Sequence, residues 1–376
     1  MFEQNGKFNL IENNVTYTLD KIVELPYNKD LTSIVVNCSS DNEKLVSKML
    51  HALYVGQHLD IPVIFNRTNQ QINFHNIPKK FSVGLFTSGT TGTPKLIFHL
   101  LSDLLPRTNQ SKNNSRWLLC YHPMSFAGLQ VILQAVISNN VLVVDVDANV
   151  TKKAQLACQY NIDAISATPS LIRSLLLSWT KQLPPLKIIT LGGEIATQAI
   201  LDTLKNTFPD AKLRHIYATT EAGVVFTVKD GIAGFPLEWR NSHLNGWELT
   251  FDESLVLHKK DITIKTGDTV KIIGNRVYFI GREDNIVNIG GVKVNLEDIE
   301  QKILSIDEVI DARVYAKSNP ITNAIVCAEI ATHDESKVRA ALATLNNNLD
   351  NAEKPRIVTF VTNISLTEAG KKLRKV

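Results

Sequence analysis

The chain has 376 residues, 44% of them hydrophobic and 20% charged, which excludes a disordered polypeptide and leaves length for one large domain and a smaller one. Its 40 basic and 37 acidic residues are spread along the chain and leave a net charge of only +3, so no broad nucleic-acid surface is implied; the one basic cluster is the tail at 371–375. Cys38, Cys120, Cys158 and Cys327 stand far apart with no CxxC pair or His at metal-ligand spacing, no apolar run approaches the roughly 20 residues that cross a bilayer, and the N-terminus lacks a basic-then-apolar leader, so reduced thiols and a cytoplasmic location are expected.

In chain order, residues 33–38 (SIVVNC) predict a strand, 42–57 an amphipathic helix opened by Asp41 as N-cap, and 61–65 the next strand. The apolar strand 81–86 begins a second unit, and the polar 108–115 predicts an exposed loop. Strand 141–144, helix 152–160, strand 163–167 and strand 187–191 continue the alternation, which is that of an α/β fold with buried strands. From about Trp247 the segments 248–251, 261–265, 269–273 and 276–280 alternate in polarity between turns at Gly246, Gly267 and Gly274-Asn275, the pattern of antiparallel strands. Helices are predicted at 296–304 and 335–349, and a strand at 357–361. The expected organisation is a large N-terminal domain of mixed α/β sheets over 1–281, a connection at 282–284 and a small α+β domain over 285–376.

The segment FTSGTTGTPK (86–95) follows the apolar strand directly. Its glycines let backbone N–H groups approach an anion, its hydroxyls add donors and Lys95 adds positive charge, so it reads as a phosphate cradle. It is not the P-loop of NTPases, because Pro94 and Leu96 flank the lysine where that pattern needs Gly before it and Ser or Thr after it.

TSGTTGTPK resembles the phosphate-loop signature of the adenylate-forming superfamily, which includes acyl-CoA synthetases, aryl-acid ligases, luciferases and nonribosomal adenylation domains. Further segments occur in that family's order, from residue 81 to 374. By this resemblance Thr87, Ser88, Gly89, Thr90, Thr91, Gly92, Thr93 and Lys95 hold the phosphates of ATP, and LGGE (191–194) is similar to the adenine-side loop, with Gly192, Gly193 and Glu194. YATTEAG (217–223) implies that Tyr217 stacks on adenine, Thr220 contacts the α-phosphate and Glu221 holds Mg²⁺. TGD implies Asp268 on the ribose hydroxyls; GRED implies Arg282 on ribose or phosphate and Asp284 as the pivot of a mobile C-terminal domain. Gly291 matches the position bordering the pantetheine tunnel, and LTEAGKKLRK resembles the closing GK motif, making Lys371 the catalytic lysine, with Lys372 its easily confused neighbour.

The resemblance implies ATP- and Mg²⁺-dependent activation of an acyl or aryl acid and transfer to the thiol of CoA. An acyl carrier protein as acceptor and a non-catalytic nucleotide-binding homologue are the alternatives. WLLCYHPMSFAGLQ (117–130) aligns with the acyl-pocket segment and offers Tyr121, His122 and Ser125, with a core or interface role open for Tyr121 and His122. Ser125 stands where many acyl-CoA ligases carry His, and no Asp is present to pair an amino acid's α-amine. The o-succinylbenzoate-type ligases are one substrate option among several. Only about eighty residues precede the phosphate loop, fewer than in most relatives, so the N-terminal subdomain reads as shortened, and a homo-oligomer covering the exposed surface stays open.

Overall fold

A computed structural model describes residues 8–38, 43–68, 71–73, 76–87, 94–105, 114–179, 181–367 and 371–372. The fold is the expected mixed α/β architecture with several sheets. It divides into two compact units, one formed by the chain up to Ala167 with Ser178–Ile189 and Thr219–Gly223, the other by Thr168–Leu177, Thr190–Ala218 and everything from Val224 onward.

In the first unit, strand Arg116–Leu119 runs parallel to both Val141–Val144 and Ala164–Ala167, and Asn9–Glu12 extends the sheet in parallel beside Val141–Val144. A second sheet takes Ile34–Asn37, Val63–Asn66 and Val83–Phe86 in parallel and ends in the antiparallel Leu96–His99. Parallel strands are covered on both faces, and Val63, Ile64, Phe65, Val83 and Leu85 are accordingly all buried, as continuous apolar runs demand.

The helix expected from residue 42 starts at Leu45 and runs to Leu59. Asp41 lies outside the described residues, and Lys44 at the cap gives no side-chain bond. The first turn is instead capped from outside, by Glu12 of the neighbouring strand, whose carboxylate accepts from Val46 N at 2.7 Å, Ser47 N at 3.1 Å and Ser47 Oγ at 2.7 Å. Glu12 is fully buried; burial raises its pKa, and these donors pull the other way. A carboxylate on free N–H groups at a helix start also meets the positive end of the helix dipole. The next predicted helix forms as Val150–Gln159, with Asn149 Oδ1 accepting from Lys152 N at 2.9 Å.

In the second unit a six-stranded sheet is ordered Phe235–Pro236, Arg276–Arg282, Ile262–Ile273, Ser254–Lys259, Trp247–Phe251, His243–Leu244, every pair antiparallel. The two short strands predicted at 261–265 and 269–273 are one strand of twelve residues. Gly267, read as a turn, has φ +71° inside it, and against strand Ser254–Lys259 the register shifts between the pairs Ser254–Thr269 and Val256–Lys265, so the chain absorbs the extra residues at 266–268 as a bulge rather than turning. The strand Ser254–Lys259 was not anticipated, although its buried Leu255 and Leu257 keep period two. The hairpin at Asn245-Gly246 is as expected: both residues have positive φ, the requirement of a tight two-residue connection.

From Ile286 the chain builds a hairpin (Ile286–Ile289 with Val292–Asn295), helix Leu296–Leu304 and a three-stranded sheet in which Val309–Asn319 and Asn323–Thr332 are antiparallel and Ile357–Val361 is parallel. Helix Glu335–Asn347 is capped by Asp334. Ile299, Ile303, Val314, Val326, Ile330 and Val338 form their core, each fully buried aliphatic side chain contributing about 1.5–3 kcal/mol. Among the described residues no helix is long and apolar enough to cross a membrane.

Candidate active site

The second unit contains Gly192, Gly193, Glu194, Tyr217, Asp268, Arg282, Asp284, Gly291 and Lys371 of the residues singled out by the sequence. Strand Ile188–Gly192 ends at Gly192, and Gly193 follows with φ +81°, a conformation that strains any side chain. A Cβ there would lie 3.5 Å from Cε of Lys371 and 3.6 Å from Cγ2 of Thr168. Glu194 joins two segments: Oε2 accepts from Ser170 N at 3.0 Å in the first turn of helix Pro169–Ser178, and Oε1 accepts from Lys372 N at 3.3 Å.

Tyr217, on strand Lys212–Thr219, lies nearly parallel to Phe226 and to Phe279, with centroids 5.1 Å from each, and its hydroxyl donates to Asp268 Oδ2. The other oxygen of Asp268 accepts from Arg282 Nη1 at 2.8 Å, its partner across the ladder, and Arg282 Nη2 lies 3.4 Å from Asp284. Arg282 Nε is buried and has no partner among the described residues. Burial raises the pKa of Asp268 against the opposing pull of Tyr217 and Arg282; burial and the Asp268 charge drive Tyr217 well above an ordinary phenol. For Arg282, burial is outweighed by Asp268 and Asp284, which hold it above its ordinary value.

Lys371 stands at the centre of this group. Its N donates to Thr367 Oγ1 at 3.2 Å and its carbonyl accepts from Thr367 N at 2.7 Å, so Thr367 and Lys371 are tied to each other at two points. The half-buried ammonium has no carboxylate within 4 Å among the described residues. Burial lowers its pKa; Glu194 and Asp268 oppose this and Arg282 adds to it. The charges that act on this ammonium are thus three carboxylates, Glu194, Asp268 and Glu297, and one guanidinium, Arg282. Lys372, its neighbour, points the other way into a buried ionic cluster.

In the first unit, Ser88, Gly89, Thr90, Thr91, Gly92 and Thr93 lie outside the described residues, but the neck of that loop is defined: Thr87 N donates to Lys95 O at 2.9 Å and Lys95 N to Thr87 Oγ1 at 3.0 Å. Thr220 and Glu221 occupy the turn after strand Lys212–Thr219, where Thr219 Oγ1 accepts from Ala222 N at 2.9 Å. Glu221 is exposed, and its charge raises the pKa of His99 against the larger, lowering effect of burial. The sequence reading did not single out His99, whose buried Nε2 has no partner among the described residues. Among the described residues no three His, Cys, Asp or Glu side chains come together to hold a metal ion. Glu221 fits Mg²⁺ only as one carboxylate completed by phosphate oxygens and water, the usual manner for that ion.

Tyr121 and His122 are buried. Ser125 caps helix Phe126–Ile137: its Oγ accepts from Gly128 N at 3.0 Å and donates to His122 O at 2.7 Å. Met124 N points at His122 Nδ1 at 3.2 Å, which places the imidazole proton on Nε2, 3.7 Å from Cys38 Sγ. The polar atoms of Ser125 and His122 are thus committed to the fold. Burial, reinforced by Arg67 and opposed by Asp147, lowers His122 to about 4. An unfolded histidine takes its proton near 6.5 and this one resists it, so the stabilising contribution is complete above 6.5 and declines as the pH falls from there toward 4, by ~3 kcal/mol at most. In urea unfolding followed against pH, His122→Gln should flatten that decline; an unchanged slope would contradict it.

Asp284 sits in the short 3₁₀ turn Glu283–Asn285, at the connection drawn from sequence. Gly291, with φ +90°, closes the hairpin Ile289–Val292, and a Cβ there would meet no atom within 4 Å.

The family model described as AMP-binding enzyme matches residues 33–261. Over 369 residues the chain is 24% identical to surfactin synthase subunit 1 of Bacillus subtilis, covering 81% of this chain and 10% of that protein. It is 27% identical over 195 residues to the 3,4-dihydroxybenzoate–[aryl-carrier protein] ligase of Bacillus anthracis, 50% of this chain and 46% of that one. With the D-alanine–D-alanyl carrier protein ligase of Bacillus cytotoxicus it shares 24% over 348 residues, 77% of this chain and 69% of the ligase. The chain therefore spans about a tenth of the first relative and just under half of the second. Among solved structures it resembles the anthranilate CoA ligase AuaEII in complex with anthranoyl-AMP (TM-score 0.72, 12% identity, 98% of this chain and 92% of that). It also resembles o-succinylbenzoate CoA synthetase (MenE) from Bacillus subtilis in complex with its acyl-adenylate intermediate (TM-score 0.67, 15%, 99% and 95%). At these identities the structural likeness shows the fold.

Proposed function

Because the chain belongs to the AMP-binding enzyme family, within the adenylate-forming superfamily, we propose that it activates a carboxylic acid with ATP as an acyl-adenylate and passes the acyl group to a phosphopantetheine thiol. The observation that carries this reading is Lys371: an ammonium without an ion-pair partner among the described residues, set beside the left-handed Gly193 and within reach of the charges of Glu194, Asp268 and Arg282.

In the first step a carboxylate oxygen of the acid attacks the α-phosphorus of ATP, the bond to the β-phosphate oxygen breaks, and pyrophosphate leaves with that electron pair. Two anions must meet, and Lys371 offsets their repulsion as charge builds on the phosphoryl oxygens. Asp268, whose two oxygens accept from Tyr217 and Arg282, also accepts the ribose hydroxyls, Tyr217 stacks on the adenine, and Thr220 contacts the α-phosphate. Residues 87–95 receive the departing phosphates. Glu221 would hold Mg²⁺, which would supply charge neutralisation on the phosphate oxygens when bound. In the second step the thiol gives up its proton, its sulfur bonds to the acyl carbon and AMP leaves. For this step the C-terminal domain, residues 285–376, turns about Asp284 and brings Gly291 to the thiol.

We assign CoA as the acceptor, in line with the CoA ligases among the structural neighbours. The curated relatives that name a carrier protein favour the second reading, a stand-alone enzyme that loads an acyl carrier protein. The absence of an Asp in 117–130 argues for an aryl or acyl acid over an amino acid. Incubation with ATP, Mg²⁺ and a panel of aryl, fatty and amino acids should yield one class of acyl-adenylate by mass spectrometry. Adding CoA or a holo carrier protein in parallel identifies the acceptor by thioester yield. If no acid gives adenylate while ATP still binds, the protein is a non-catalytic homologue.

A further inference from the structure

Directly behind Lys371 lies a cluster of four buried charges with no place in the chemistry above. Arg173, Glu300, Asp311 and Lys372 are each at most 6% exposed. Lys372 Nζ lies 2.7 Å from Asp311 Oδ1 and 3.1 Å from Glu300 Oε1, and donates to the carbonyl of Ala312. Arg173 Nη1 stands 3.9 Å from Asp311, and Glu300 Oε2 accepts from Val314 N at 3.0 Å. Two cations balance two carboxylates, so the cluster is neutral as long as all four are present. Burying it stabilises little compared with apolar side chains of the same volume, and what such clusters supply is a fixed geometry.

The contacts form a closed circuit around the reactive lysine. Lys372 is tied through its side chain to Asp311, Asp311 to Arg173, Arg173 to helix Pro169–Ser178, that helix through Ser170 N to Glu194, and Glu194 back to the backbone N of Lys372. Adjacent residues in an extended chain point to opposite sides. Clamping the side chain of 372 on one side therefore sets that of 371 on the other, toward Gly193.

We propose that Lys372 is a positioning residue for adenylation: its clamp by Glu300, Asp311 and Arg173 holds the ammonium of Lys371 where the acid and the α-phosphate meet. This rests on the assignment of Lys371 as the adenylating lysine. A displacement of about 1 Å in a reacting group costs up to ~10²-fold in rate, so Lys372→Met should lower adenylation by at least about tenfold. Transfer to the thiol from supplied acyl-adenylate, a step in which Lys371 is withdrawn, should stay within about twofold per folded molecule. A role confined to stability would lower both steps together.

Both partial reactions are measured for Lys372→Met, Lys372→Arg and Lys371→Ala, with folding checked by circular dichroism. Arg173→Met, which leaves Lys372 paired with Asp311 and Glu300, serves if Lys372→Met does not fold, and should lower adenylation selectively by a smaller factor. Selective loss of adenylation in the Met variants, partly restored in Lys372→Arg, supports the proposal. Unchanged adenylation, or equal loss in both steps, overturns it. If Lys371→Ala itself adenylates normally, the assignment of Lys371 fails instead, and the two failures are distinct.

Discussion

Replacing Lys371 by alanine is expected to lower the rate of acyl-adenylate formation by ~10² or more, while ATP binding changes little. The expectation follows from where the ammonium sits. It has no carboxylate within 4 Å among the described residues, so it is not a structural ion pair, although its charge also helps keep the partly buried Asp268 ionised. What is lost is charge aimed at the site where two anions react, and removal of one such preorganised group costs on the order of 10²–10³ in rate. The pH profile follows with its sign. Burial lowers the lysine's pKa, so the ammonium is lost at lower pH than an ordinary lysine's, and adenylation should decline on the alkaline side earlier than 10.5. Stopped-flow detection of pyrophosphate across that range measures both effects. Wild-type rates in Lys371→Ala would remove the lysine from the mechanism.

Asp268→Ala is expected to raise the KM for ATP by ~10–10²-fold, since each hydrogen bond to a charged group contributes about 1.5–3 kcal/mol and 1.4 kcal/mol is a factor of ten. The carboxylate has a second measurable effect. Together with burial its charge holds the Tyr217 hydroxyl well above an ordinary phenol, so that pKa should move down in the variant, read by ultraviolet titration. A fall in the Tyr217 pKa with an unchanged KM for ATP would keep the network and deny its role in nucleotide binding.

The elements of this site were legible where the local pattern and the fold agree. Gly193 and Asp268 lie in short Gly-containing segments, and the structure gives each a setting: a left-handed backbone beside Lys371, and a bulge against strand Ser254–Lys259 that includes the carboxylate accepting from Tyr217. Gly267 misled because a glycine with positive φ serves a bulge as readily as a turn, and only the neighbouring strand Ser254–Lys259 decides between them. The start of the helix at Leu45 was hidden for a similar reason, its cap being Glu12, more than thirty residues away. Propensity sees neighbours along the chain and not across a sheet.

The clamp behind Lys371 left fainter signs. Glu300 falls on the stripe Leu296, Ile299, Ile303 of its helix, where an apolar residue belongs, and Arg173 interrupts the apolar run of 169–178. A charge on an apolar face signals a buried partner, but the partners, Asp311 and Lys372, are far away in sequence. Ser125 and His122 show the converse: polar residues in a segment aligned with an acyl pocket are spent on a helix cap and a buried imidazole.

The central claim is that this chain forms acyl-adenylates through Lys371. Its most direct test is ATP–pyrophosphate exchange by the purified protein across a panel of aryl, fatty and amino acids, with Lys371→Ala beside it. Exchange should depend on one class of acid and fall by ~10² or more in the variant. Acid-dependent exchange that persists in Lys371→Ala, or none with any acid while ATP binds, would contradict it.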